Sequence, residues 1–94
     1  MSGYFIKVPR DEVYRVIDGE RDYQDAGLGN SKRHPDQPAT MTPGEYLLCM
    51  EEVLSDGRKV WYKPDGSQAC LDYVRKLAAL CVACMQIHGA PARA

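Results

Sequence analysis

Apolar residues fall into three runs with helical spacing, separated by stretches rich in glycine, proline and polar residues. After a short extended lead, Tyr4-Phe5-Ile6-Lys7-Val8, the residues Val13, Val16 and Ile17 recur at steps of three and one, which predicts a first helix over about 9–25. Pro9 suits the first helical position, where its missing N–H costs nothing, and Asp11 and Glu12 fall in the positive first turn. Continued along the chain, that face reaches Glu20, Tyr23 and Gln24 instead of more aliphatics. Polar groups on a packing face need partners, so this half of the helix is a candidate site.

Thr42-Pro43-Gly44-Glu45 reads as a capping box, with Thr42 as N-cap, Pro43 in the first position and Glu45 reaching back. Leu47, Leu48, Met50 and Leu54 then form an apolar stripe. The second helix is expected over about 43–62, running across Ser55-Asp56-Gly57. The alternative, a strand over 58–63 between two Asp-Gly turns, would have nothing to pair with.

Pro64-Asp65-Gly66 marks a turn, Ser67 an N-cap, and Gly89 with Pro91 a stop, which places the third helix over about 68–88. Cys70, Val74, Leu77, Cys81, Cys84 and His88 lie on alternating steps of four and three, a heptad-like seam. Leu71, Ala78, Val82 and Met85 widen the apolar surface past a single stripe, which points to a subunit interface. Residues 26–41 carry two glycines and two prolines and read as a long loop. The expected fold is all-α: one domain over 1–94, a three-helix unit built on a long antiparallel helical hairpin, with the first helix across it, forming a homo-oligomer.

Composition narrows the function classes. The 94 residues, 10.5 kDa, carry a net charge of −1, so a duplex nucleic acid is not an expected partner. The charge is unevenly spread: residues 1–56 hold eleven acids and six bases, and residues 57–94 two acids and six bases. No apolar run approaches a membrane span, and Met1–Lys7 lacks the apolar core of a secretion signal, so no membrane partner and a cytoplasmic location are expected.

Cys81-Val82-Ala83-Cys84 with His88 one turn on suggests a metal face, but zinc takes four ligands, and the fourth would have to be Cys49 or Cys70 with no second C-x-x-C. Cysteine is also among the most buried residue types, so packed thiols, no metal and no cofactor are the expectation. Lys32, Arg33 and His34 follow glycines that can expose backbone N–H groups, a composition suited to an anion. No nucleophilic triad is announced, since the only histidines are His34 in the loop and His88 at a helix end.

Glu20-Arg21-Asp22-Tyr23-Gln24-Asp25-Ala26 with Gly29, then Glu45-Tyr46-Leu47 with Glu51-Glu52, then Arg75-Lys76-Leu77-Ala78-Ala79-Leu80, resembles small helical proteins encoded in tailed-phage genomes. More distantly the set is similar to the MazG-like all-α nucleotide pyrophosphohydrolases, over roughly residues 12–90. That family holds magnesium through clustered carboxylates, which would fall here on Glu20, Glu51, Glu52 and Asp72. The pattern departs where Ser55 replaces an expected glutamate and where Arg75 and Lys76 follow Asp72. Cations there attract phosphate directly.

The resemblance therefore implies a phage-type anti-defence protein that sequesters a phosphorylated nucleotide signal, a cyclic oligonucleotide or an ADP-ribose derivative, without hydrolysing it. Such a protein acts in the host cytoplasm. Its expected ligand-binding residues are Tyr23, Tyr46 and Trp61 for stacking, with Gln24 and His34 beside them, and Lys32, Arg33, Arg58, Arg75 and Lys76 for phosphate. Two alternatives remain open: a protein–protein inhibitor of a host factor acting through the acidic first helix, and a reduced MazG-like magnesium-dependent pyrophosphohydrolase.

Overall fold

The computed structural model describes residues 7–26 and 41–93. They form three helices: α1 (Arg10–Asp25), α2 (Pro43–Val60) and α3 (Gly66–His88). Residues 4–6 of the expected 4–8 lead and 27–40 of the expected loop, with Lys32, Arg33 and His34, lie outside the described residues.

α2 and α3 form the antiparallel hairpin. Met41 meets His88 at one end, Met50 meets Cys81 in the middle, and Gly57 meets Cys70 and Tyr73 near the turn. α2 runs unbroken through Gly57, because that residue has a packing use: a Cβ there would stand 3.0 Å from the Cβ of Tyr73. Glycine lets the two backbones close on each other at the cost of a weaker helix former.

Two helix starts differ from expectation. Pro9 is the N-cap of α1, not its first residue, and its carbonyl accepts from the N–H groups of Glu12 and Val13. α3 begins at Gly66 with Asp65 as N-cap and no side-chain cap bond, so Ser67 sits exposed inside the first turn. The reason is the tight 61–65 turn, in which Gly66 N–H donates to the Lys63 carbonyl at 2.8 Å and starts the helix early. α2 stops at Val60 with Trp61 as C-cap, and α3 stops at His88 with Gly89 as C-cap, whose φ of +112° suits glycine.

α1 packs on α3 and makes no contact with α2. Its partners on α3, Arg75 and Gln86, lie almost opposite the residues that meet α2. Neighbouring Glu20 and Arg21 reach α3 residues eleven positions apart, about 16 Å of helix axis, so α1 crosses α3 instead of running alongside it. Val13 and Val16, expected in the core, stand exposed, and Glu12, Ile17, Glu20, Arg21 and Gln24 take the half-buried places. The polar half of the helix faces inward because its groups find partners there.

The Thr42 capping box forms as the sequence requires. Thr42 Oγ1 accepts from the Glu45 N–H at 3.2 Å, and Glu45 Oε1 accepts from the Thr42 N–H at 2.8 Å. The bond from the Thr42 backbone, and then the Thr42 side chain, hold the Glu45 carboxyl below its usual pKa. A carboxyl whose folded pKa is depressed adds stability above its unfolded pKa and loses it as pH falls through the folded value. Wild type is therefore expected to melt above Glu45→Gln at neutral pH, the gap closing on acidification below the ordinary glutamate range. Thermal unfolding of both proteins across pH checks this; a gap constant with pH would contradict it.

Candidate interaction site

Where α2 and α3 approach the turn they enclose an open, almost wholly apolar cleft of about 250 Å³. α2 lines it with Val53, Leu54, Gly57, Arg58 and Trp61, and α3 with Cys70, Tyr73, Val74 and Leu77. Gly57 makes its floor. The Cys70 thiol donates to the Gly57 carbonyl at 3.4 Å, and Tyr73 packs over the bare Cα. Leu54, Trp61 and Val74 form the lips, each more than half exposed. Lys76 stands 4.9 Å from the centre of the Tyr73 ring, a cation–π contact at the edge of the cleft.

A second cluster joins α1 to α3. Arg75 Nε donates to Glu20 at 2.8 Å and its Nη1 to Asp72 at 2.9 Å. The Glu20 side chain is only 9% exposed. Glu20 and then Asp72 hold the guanidinium pKa above its usual value. Beside this pair, Arg21 donates to Gln86, Gln24 and Asp25. At the other end of the hairpin, buried Tyr46 meets His88 edge-on with ring centroids 6.3 Å apart, and His88 Nε2 lies 2.6 Å from the Met41 carbonyl, to which it donates.

The chain matches no family model, no curated protein and no solved structure.

The ligand residues expected from sequence are therefore divided among several places. Arg58 and Trp61 share the cleft, and Lys76 touches its wall through Tyr73. Arg75 and Gln24 belong to the α1–α3 seam, where carboxylates and Arg21 engage them. Tyr46 is inside the hairpin some fifteen residues, about 22 Å, from Trp61, and Tyr23 is exposed on α1. Of the carboxylates the family resemblance implies for magnesium, Glu20 and Asp72 are both engaged by Arg75. Glu51 and Glu52 stand exposed on α2, which α1 does not touch. The four are not brought together, and no group of three or more metal-ligating side chains occurs among the described residues.

All four cysteines are free and half-buried; Cys81 Sγ lies 3.8 Å from Met50 Sδ, so at that point the thiol packs as a small hydrophobe. No helix among the described residues is long and apolar enough to cross a membrane. Of the nine cleft residues only Arg58 and Trp61 are expected site residues from the sequence; Val53, Leu54, Gly57, Cys70, Tyr73, Val74 and Leu77 are not. The available signal was the glycine inside a helix, which marks a close approach of backbones.

Proposed function

We propose that this chain acts by binding instead of turnover, as a small helical interaction protein whose working surface is the open apolar face of the α2–α3 hairpin. One observation carries the reading. Among the described residues only Tyr46, Ala79 and Ala83 form a buried apolar core, while Leu47, Leu54, Trp61, Leu71 and Val74 are each more than half exposed. Contiguous apolar surface of this kind, gathered round a cleft and rimmed by charge, is what protein-binding surfaces present. Tyr73, Trp61 and Arg58, all lining the cleft, are of the residue types that carry binding energy at such sites.

The test is a photo-crosslinking residue placed at Leu54, in the cells that express the protein. The expected result is one discrete adduct from position 54 and none from Glu52, which points away from that face by helical geometry. Equal labelling at both positions, or none at 54, would sink the reading.

A second reading rests on the pairing of Trp61 with Arg58. A flat ring stacked on the indole, with its phosphate on the guanidinium, would make the cleft a nucleotide site, in keeping with capture of a phosphorylated signal. Trp61 is the only tryptophan, so its emission reports on this site alone. Titration with ADP-ribose and with cyclic dinucleotides should quench it, and Arg58→Ala should weaken that quenching about tenfold or more, the loss of one charge-assisted contact. Absence of quenching leaves the face to a macromolecule.

A further inference from the structure

We infer that the partner at this face is a second copy of the chain, docked two-fold so that two hairpins close into a four-helix bundle. The inference rests on the reading of the hairpin face as the working surface and names its occupant. Leu47 lies seven residues before Leu54 and Trp61 seven after it, and all three are more than half exposed. A seven-residue repeat keeps one face of a helix toward a partner helix. On α3, Leu71, Val74, Ala78 and Met85 repeat at steps of three, four and seven. The cleft places Val74 beside Leu54 and Trp61, so the two stripes share a face of the hairpin.

The α2 stripe is self-complementary. If two α2 helices lie antiparallel across a two-fold axis at Leu54, then Leu54 meets its own copy and Leu47 of each chain meets Trp61 of the other. The charges obey the same axis. Glu51 lies three residues before Leu54 and Arg58 four after it, both exposed on the flank of the stripe, and neither forms an ion pair among the described residues. In the antiparallel arrangement Glu51 of one chain faces Arg58 of the other, twice. A patch whose acid and base sit on either side of its own centre fits the isologous geometry of a two-fold dimer.

Burial points the same way. Among the described residues no large side chain is fully buried, and the two most enclosed apolar residues of α3 are alanines. A chain of this size buries little of its own surface, and a second copy supplies the missing cover.

The test is sedimentation of the full chain over a wide concentration range, with charge reversal at the proposed pair. Wild type is expected to be a dimer. Glu51→Arg and Arg58→Glu, each alone, set like charges face to face and are expected to weaken association at least about tenfold. The double reversal restores the pair and is expected to recover most of that loss. Leu54→Glu gives a monomer with helicity unchanged in circular dichroism, since an exposed side chain is replaced. If Leu54→Glu also unfolds the chain, the charge-reversal set decides alone.

A monomeric wild type, or a double reversal no better than the singles, overturns the second copy. In that case a position-54 adduct to a different protein keeps the face as the working surface, and no adduct overturns both readings.

Discussion

Replacing Gly66 by alanine is expected to cost at least about 3 kcal/mol, the upper end of overpacking, and to lower the melting temperature by roughly 12–24 °C. The reason is space, not backbone conformation. A Cβ at this position would sit 1.8 Å from the carbonyl oxygen of Trp61 and 2.5 Å from its carbonyl carbon. Both are backbone atoms of the turn that reverses the chain, so no side chain can rotate away to relieve the clash. The turn must open, and with it goes the Gly66–Lys63 hydrogen bond that starts α3. Ser67→Ala is the control. A serine N-cap would be worth about 1 kcal/mol, but Ser67 is exposed and lies inside the helix, so a change within about 0.5 kcal/mol is expected. Urea unfolding of the two variants separates the cases. A Gly66→Ala protein as stable as wild type would mean the turn takes another path.

Arg75→Met should cost about 1–3 kcal/mol, although methionine fills much of the same volume. The arginine is the common partner of Glu20 and Asp72, and it alone among the described residues neutralises the Glu20 carboxylate. Removing it leaves an ionised group in a site that water barely reaches, and the penalty for an orphaned polar group dominates over the modest worth of the pair itself. Since Arg75 is itself one-third exposed, the lower half of that range is the better guide. The second variant makes the mechanism visible. Glu20→Gln in the Arg75→Met background removes the stranded charge and is expected to return part of the loss. Asp72→Asn, at an exposed carboxylate, should do little. Equal losses for Asp72→Asn and Arg75→Met, read by thermal unfolding, would count against this account.

Much of the architecture is legible in the sequence because local signals agree with the fold. The Thr42-x-x-Glu45 box and the Gly89 stop each state a boundary that the helices obey, and the lack of any partner for a strand over 58–63 carries α2 through Gly57. What the sequence hides is set by tertiary contacts. Ser67 reads as the cap, but the place falls to Asp65 because the 61–65 turn delivers Gly66 into the helix. Val13 and Val16 read as core, but the interior of the α1 crossing is decided by Glu20 and Arg21 finding Arg75 and Gln86 on α3, a pairing with no sequence signature.

The site was legible in fragments. Arg58 and Trp61 stand out by their chemistry and line one cleft, whereas Arg75 stands out by its charge alone. One of the two carboxylates that pair with it, Glu20, lies fifty-five positions away on another helix.

The crossing of α1 over α3 has a thermodynamic consequence. α1 is joined to the body by one helix only, through a seam of polar contacts that is half open to water. The hairpin, by contrast, is joined by contacts at both ends and in the middle, with Tyr46, Ala79 and Ala83 buried in it. Local opening therefore has a natural fault line. α1 is expected to open first while α2 and α3 stay paired, which hydrogen exchange would read as faster exchange of the α1 amides. Added salt, which screens partly exposed charges, shifts that opening and spares the hairpin.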